Sequence, residues 1–451
     1  MIFSAPVKIP PRIYLPLLLA LAIGLSVGGL FLWQIKQSVS TIESSFKANT
    51  TPTLLQRILP GKPRITPDSA MQSQALMELR QGEIFELKGE WKLAQNEYAQ
   101  SVESGGGTPA LKKLASIQLQ RRDYDGAGIT IDTLKRENKD SDDVMLLEGI
   151  LSLRKGDTST AISIFNRKPD SPQAMYGLAL VSIVQADHEK AKQYLLKATE
   201  SGDPAIRGTA AVILEAYNEF ALFPEGQATH LATLLARALA QVNECETALV
   251  LTAPVIAAEP RYRDAWIVQG FCEFTTERTK EALASLEQAY SLDPAKAEIQ
   301  YFLARTHAAL GDPQNAVTFL QYAILNGFEP ERDARELLAD YARELGNTDL
   351  ALEQYKLIAE SKDGDLDSFK RYIDLAIGIP NRSLDALALA KTALQKYPDD
   401  ADALTLTAKA ALAAGLPEDA QKYIESALKI DPKSKDAASV QEAIRKAGLV
   451  Q

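Results

Sequence analysis

The sequence predicts an all-α fold built from a long series of helix–turn–helix repeats, and three observations lead to this prediction. The chain has 451 residues, longer than one globular core usually grows, so several domains or a repeat array are expected. Alanine and leucine are abundant while glycine and proline are not enriched, which favours helices. Small and apolar residues also recur at a near-constant spacing, and Pro260 and Pro294 end two such segments 34 residues apart.

The composition excludes two classes of protein. Charged residues are 24% and hydrophobic residues 46% of the chain, which does not suggest disorder. The formal net charge is -10, and no stripe of Lys and Arg is visible. Because binding of a phosphate backbone needs clustered basic residues, nucleic acid is not expected as the main partner.

The clearest repeat runs from Arg263 to Lys296 and reads as a helix, a short turn and a second helix. With Arg263 as position 1, Gly270 is at position 8 and Ala282 at position 20. Two antiparallel helices cross closely only where side chains are small, which explains these two residues. Pro294 ends the second helix, because proline has no amide hydrogen and restricts the residue before it.

This segment resembles a tetratricopeptide repeat, whose period is 34 residues. Alignment on alanine at position 20 gives about ten repeats, and this alanine is Ala94, Ala127, Ala161, Ala191, Ala248, Ala282, Ala316, Ala351, Ala386 and Ala420. The resemblance implies a right-handed superhelical solenoid with a concave surface lined by the first helices, which generally holds peptides or proteins. A family name alone does not identify the partner.

The amino terminus is predicted to contain a single membrane anchor. Residues Ile13 to Trp33 carry no charged side chain, and 21 helical residues span roughly 30 Å, the thickness of the hydrocarbon core. Lys8 and Arg12 precede this run, so the positive-inside rule places residues 1–12 in the cytoplasm. The transmembrane helix is assigned to 13–35 and a proline-containing spacer to 36–70. A cleavable signal peptide is the alternative, although its apolar region would usually be shorter.

The repeats are predicted in two blocks. Repeats 1–4 occupy 71–205 and repeats 5–10 occupy 229–434. Residues 206–228 break the period and are read as an extra helix or a degenerate half repeat. Residues 435–451 form a polar final helix, as expected of a cap that covers the last apolar face of a solenoid.

The sequence offers no candidate catalytic site, cofactor site or metal site. Its only histidines are His188, His230 and His307, which lie in different repeats without carboxylates or cysteines at ligand spacing. Zinc-protease, serine-hydrolase, phosphate-loop and dinucleotide-binding motifs are all missing. The chain is therefore predicted not to be an enzyme, with no cofactor and no small-molecule substrate.

A partner-binding groove is implied by the resemblance, since the family lines its groove with first-helix positions 2, 5, 9, 12 and 13. Those positions give Tyr176, Arg237, Ile267, Phe271, Phe274, Tyr301, Arg305 and Arg371. Aromatic side chains beside arginines suit an acidic and apolar peptide. The alternative for Phe271 and Phe274 is that they pack between neighbouring first helices. No repeat has the Lys and Asn pair with which chaperone-binding members grip a terminal carboxylate.

The chain has two cysteines, which the repeat register places close together. Cys245 begins the second helix of repeat 5, and Cys272 lies late in the first helix of repeat 6. A second helix packs antiparallel to the next first helix, so the two thiols could meet. A disulfide is one interpretation, and two free cysteines in the core are the other.

These features predict a bacterial, membrane-tethered scaffold or adaptor in the cytoplasmic membrane, with its repeats on the periplasmic side. It would bind protein or peptide partners and organise envelope complexes. The alternative is a chaperone-like assembly factor that delivers a client to an envelope enzyme complex, such as one for cytochrome maturation or cell-wall synthesis.

Overall fold

The computed structural model describes residues 67–87, 89–137, 141–223 and 225–448. These residues form 22 α-helices, and no strand occurs among them. The predicted cytoplasmic segment 1–12 and membrane helix 13–35 lie outside the described residues. None of the described helices combines the length and the apolar character needed to span a bilayer.

The chain divides into two compact units, one ending at Leu292 and the other beginning at Asp293. The helices of unit 1 are α1 Pro67–Leu87, α2 Trp91–Glu103, α3 Gly107–Gln120, α4 Tyr124–Glu137, α5 Asp142–Arg154, α6 Thr158–Phe165, α7 Pro172–Val184, α8 His188–Thr199, α9 Pro204–Ala221, α10 Ala228–Gln241, α11 Cys245–Ala258, α12 Arg263–Thr275 and α13 Thr279–Leu292. The helices of unit 2 are α14 Ala297–Ala309, α15 Pro313–Leu325, α16 Glu331–Glu344, α17 Thr348–Glu360, α18 Leu366–Ala376, α19 Ser383–Lys396, α20 Ala401–Ala413, α21 Pro417–Ile430 and α22 Lys435–Gly448. Within each unit, consecutive helices pack against each other.

The second helix of a pair buries the same three positions in repeat after repeat. In α13 these residues are Ala282, Leu286 and Ala289, and all three are fully buried. The corresponding residues are equally buried in α15 and α21. Spacings of four and three residues place them on one helix face, which is why the sequence pattern predicts the pairing.

The turn within a pair uses a glycine and a capping residue in succession. Gly156 and Gly311 adopt φ values of 81° and 79°, the left-handed conformation that ends many helices. The next residue caps the following helix, since Asp157 and Asp312 accept hydrogen bonds from the backbone N–H three residues on. One short turn therefore provides hydrogen-bond partners for backbone groups at the end of one helix and at the start of the next.

Helix α1 begins at Pro67, so the last four residues of the predicted spacer are helical. The sequence analysis placed Pro67 in the proline-containing spacer. Proline is favoured in the first turn of a helix, however, because its missing N–H would have no partner there and its φ already suits a helix.

Close helix crossing at small residues is visible in the repeat at Arg263–Lys296. A Cβ atom added to Gly270 would lie 2.6 Å from the Cγ atom of Leu286, so α12 and α13 touch where the sequence has glycine. Ala282, on the facing helix, is fully buried. The two small residues predicted at this crossing therefore permit the observed approach.

Phe165 occupies a more crowded crossing in unit 1. Helix α6 has only eight residues, and the buried Phe165 is its last residue. A Cβ atom at Gly149 would lie 2.3 Å from the phenyl ring, and one at Gly177 would lie 2.2 Å from it. The ring thus fills the space that two glycines leave open on α5 and α7.

The extra helix α9 interrupts the alternation of first and second helices. It packs against α8 and α10 and also contacts α7. After it, α11 reaches back to contact α7, a first helix earlier in the chain. Helices α8, α9 and α10 lie between α7 and α11 in the sequence. The contact between α7 and α11 limits the exposure of Tyr176 on α7.

We predict that Gly177→Ala destabilises the protein by about 1–3 kcal/mol, because the new methyl group overlaps the Phe165 ring in a site that cannot expand freely. Denaturant unfolding of the full chain measures the change. Gly208→Ala is the matched control, since Gly208 lies inside α9 with open space around its Cβ position. It should leave stability unchanged or raise it by about 0.5–1 kcal/mol through helix propensity. Equal effects of the two substitutions would contradict the packing argument.

Candidate functional site

The first helices of unit 2 carry a continuous series of polar and aromatic side chains, which we call the first-helix strip. Helices α14, α16, α18 and α20 contribute its residues, which are Tyr301, Arg305, Asp340, Tyr341, Arg371, Asp374 and Lys409. Three of them, Tyr301, Arg305 and Arg371, are groove positions predicted from the sequence.

Ion pairs connect neighbouring helices along the strip. The Arg371 Nη1 atom lies 3.7 Å from Asp340 Oδ2, which links α18 to α16. The Lys409 Nζ atom lies 2.7 Å from Asp374 Oδ1, which links α20 to α18. Each of these four side chains is between 37% and 43% exposed, so water screens the pairs and they contribute little to stability. The charges therefore remain accessible to a partner.

A buried tyrosine on α17, the second helix of the same repeat, holds the Asp340 side chain in position. The Tyr355 hydroxyl donates a hydrogen bond of 2.5 Å to Asp340 Oδ1. Burial, assisted by this carboxylate, raises the pKa of Tyr355 to about 12, so the hydroxyl stays protonated and continues to donate. Because one oxygen of Asp340 is used in this way, the other faces Arg371.

The α14 end of the strip is aromatic. The Tyr301 ring stacks on Phe328 with 4.0 Å between centroids and 11° between planes. The Arg305 guanidinium lies over the Tyr301 ring, 5.8 Å from its centroid. Burial raises the pKa of Tyr341 on α16, and the nearby positive charge of Arg305 acts in the opposite direction. Arg305 thus lies between the aromatic side chains of two first helices.

Four residues of the strip were not predicted from the sequence, namely Asp340, Tyr341, Asp374 and Lys409. Asp340 and Lys409 occupy position 9 of repeats 8 and 10, the same position that identified Arg305. Applying the family's groove positions to every repeat would have identified both residues. Asp374 follows at position 8 of repeat 9, where the family usually has a small residue, so no sequence rule indicated it.

In unit 1 the predicted groove residue Tyr176 is buried, with 4% of its surface exposed. Its hydroxyl is hydrogen bonded to Glu244 and Thr209, and burial followed by the Glu244 charge raises its pKa. Thr209 lies on α9 and Glu244 precedes α11, so the extra helix and the helix that contacts α7 cover this position. Tyr176 therefore offers no open surface in this conformation.

The other predicted groove residues of unit 1 are partly covered. Arg237 on α10 is 49% exposed and forms an ion pair with Glu219 of α9. Phe271 is partly buried and packs against the main apolar cluster of unit 1. Phe274 is also partly buried. For Phe271 the contacts agree with the packing interpretation.

The histidines are used in side-chain hydrogen bonds of the scaffold. Each Nδ1 atom has one partner, and the pairs are His188–Tyr217 at 3.1 Å, His230–Tyr262 at 3.0 Å and His307–Asp312 at 3.2 Å. Within residues 67–448, as far as they are described, no group of three or more His, Cys, Asp or Glu side chains is arranged to hold a metal ion.

The two cysteines are in contact, as the repeat register predicts. Cys245 is the first residue of α11 and Cys272 lies near the end of α12; both are fully buried free thiols. Burial raises the pKa of Cys272 well above its usual value, and a hydrogen bond with the Cys245 side chain raises it further. The thiols are thus adjacent, and a disulfide between them stays a prediction.

Comparison with solved structures returns proteins that align with part of this chain. YrrB, described as a tetratricopeptide-repeat protein with an unusual peptide-binding site, is 18% identical over 42% of this chain and 97% of its own, with a TM-score of 0.35. PilW, described as a widely conserved type IV pilus biogenesis factor, is 21% identical over 48% of this chain and 99% of its own, with a TM-score of 0.33. PilF of Pseudomonas aeruginosa is 16% identical over 48% of this chain and 97% of its own, with a TM-score of 0.34. No curated protein sequence matches the chain.

The family assignment comes from the sequence of the repeats themselves. A tetratricopeptide-repeat family model matches residues 274–341 and 382–444. These segments contain the whole of α13 to α15 and α19 to α21, whose buried alanines have the spacing of the family. The chain therefore carries tetratricopeptide repeats over residues 274–341 and 382–444.

Proposed function

We propose that this chain is a membrane-tethered scaffold or adaptor whose first-helix strip in unit 2 binds a segment of a partner protein. The observation that supports this function is the series of exposed charges shared by α16, α18 and α20, next to the aromatic side chains of α14. Exposed ion pairs of this kind add little stability, so the fold does not depend on these side chains.

The chemistry of the strip suits a segment with acidic and apolar residues. Arg305 beside Tyr301 and Tyr341 would receive a carboxylate next to an apolar side chain, since the rings supply apolar contact area and the guanidinium supplies charge-assisted hydrogen bonds. Arg371 and Lys409 would exchange their aspartate partners for carboxylates of the bound segment. This exchange replaces one screened ion pair by another, so binding would be reversible.

We further propose that the repeats act at the periplasmic face of the cytoplasmic membrane and assist the assembly of envelope complexes. The support is the uncharged run from Ile13 to Trp33 with Lys8 and Arg12 before it. A tether would restrict the repeats to a layer near the bilayer and raise the local concentration of membrane-bound partners. The alternative role, delivery of a client to an envelope enzyme, uses the same surface.

We predict that Arg305→Glu combined with Arg371→Glu weakens partner capture while helicity and melting temperature change little. The reversed charges would repel an acidic segment, whereas Arg371 is exposed and Arg305 partly exposed, and arginines in such positions contribute little to folding. Crosslinking in membranes followed by purification and quantitative mass spectrometry measures capture, and circular dichroism measures folding.

The matched control reverses Lys391 and Lys422, which are exposed on the second helices α19 and α21. It should leave capture unchanged. If the Arg305 and Arg371 variant also unfolds, these residues are structural; if the control loses capture equally, the strip is not the binding surface. A stable stoichiometric complex supports a scaffold, and many transient unfolded clients support the assembly-factor alternative.

We predict that protease added to intact spheroplasts degrades the repeats and spares the first dozen residues, because the basic residues Lys8 and Arg12 retain the amino terminus in the cytoplasm. Immunoblotting with tags at the two ends measures the fragments. Protection of the repeats until the membrane is lysed would show the inverted orientation.

We predict that Cys245 and Cys272 form a disulfide in protein isolated from membranes without reductant. The thiols are already in contact, an oxidising compartment permits the bond, and closing this loop would stabilise the fold by about 3 kcal/mol. Alkylation under denaturing conditions followed by peptide mass spectrometry detects the linked pair. A reduced sample is the control, and alkylation of both cysteines without reduction would contradict the prediction.

A further inference from the structure

In unit 1, charged residues at the ends of helices far apart in sequence meet in one cluster, which we call the charge clasp. One side of the clasp follows α3 and ends α5, and the other side precedes α11, lies in its first turn and follows α12. Its members are Arg121, Arg122 and Arg154 on the first side and Glu244, Glu246, Glu277 and Arg278 on the second.

The outer part of the clasp joins residues 156 positions apart. The Arg121 guanidinium donates two hydrogen bonds of 2.8 Å to the Glu277 carboxylate, one from Nε and one from Nη2. Arg122 Nε lies 3.1 Å from Glu246 Oε1, and Arg278 bonds to the same oxygen. Bidentate pairing of this kind is the strongest geometry an arginine and a carboxylate can adopt.

The inner part of the clasp is buried. Arg154 Nη2 lies 2.9 Å from Glu244 Oε2, and these side chains are only 6% and 8% exposed. Glu244 also bonds to Tyr176 on α7. Because a buried ion pair is costly when one partner is missing, the inner pair requires both sides of the clasp to be in place.

We propose that the charge clasp is a conformational device: it holds unit 1 in a closed form, and unit 1 opens when the clasp ion pairs are lost. Opening separates the ends of α3 and α5 from the turns around α11 and α12 and uncovers the α7 surface at Tyr176. The three arginines of the first side then become available, and an acidic segment is the partner chemistry that suits them. This proposal does not rest on binding at the first-helix strip, since both sides of the clasp lie in unit 1.

The distance between the two sides tests the proposal in the full chain. Asp125→Cys and Lys280→Cys place spin labels at exposed positions beside the two turns, while the native cysteines are fully buried and react little. Pulsed electron spin resonance should give a short and narrow distance distribution in the unmodified clasp. Arg121→Glu should shift the distribution to longer and broader distances, and the charge exchange Arg121→Glu with Glu277→Arg should restore it.

Glu277→Gln provides a milder variant that keeps the side-chain shape and removes the charge. It should also lengthen the distances, by less than Arg121→Glu, and this shift should grow at high salt as the remaining exposed pairs are screened. Arg136→Glu, a reversal at an exposed residue of α4 outside the clasp, should leave the distances unchanged.

Circular dichroism establishes that each variant is folded. If Arg121→Glu loses helix content, Glu277→Gln and the charge exchange decide the outcome. An unchanged distribution in Glu277→Gln, or a charge exchange that fails to restore the closed distance, would overturn the proposal.

Discussion

The close crossing of paired helices at small residues is the constraint on which the rest of the structure depends. Neither helix of a pair can bury its apolar face alone, and two helices approach closely only where alanine or glycine removes side-chain volume. Ala282 and Gly270 provide this approach in the sixth repeat, and the fully buried alanine recurs in each pair. Most apolar side chains are therefore buried where helices stack. The repeats differ from one another mainly in the polar side chains at helix ends and on the exposed faces of first helices.

Unit 1 differs because its regular stacking is interrupted. The added helix α9 brings α11 against α7, and the surface that would carry Tyr176 becomes interior. Polar groups then have to be paired inside the unit, and the Arg154–Glu244 pair with its tyrosine partner does so. Unit 2, whose first helices follow one another without an added helix, keeps its charges exposed instead.

Arginine and carboxylate pairs consequently have two different physical roles in this chain. In the first-helix strip they are screened by water, contribute little to stability and can be exchanged for those of a partner. In the charge clasp the inner pair is withdrawn from water, so loss of one side chain leaves an uncompensated charge. Both places pair a basic side chain with a carboxylate, and the inner clasp pair differs from the strip pairs in its burial.

The sequence by itself determined the helix pairs, their tetratricopeptide-like spacing and the position of features that lie within one or two repeats. The spacing of Ala282 and Leu286 predicts their burial, and the register predicts that Cys245 and Cys272 meet, because neighbouring helices are placed by local periodicity. Tertiary structure alone decided that Tyr176 is buried and that Arg121 meets Glu277, 156 positions away. Such contacts depend on how small rotations between successive helices accumulate over several repeats, and on the displacement caused by α9. The spacing of neighbouring residues does not predict this accumulated rotation and displacement.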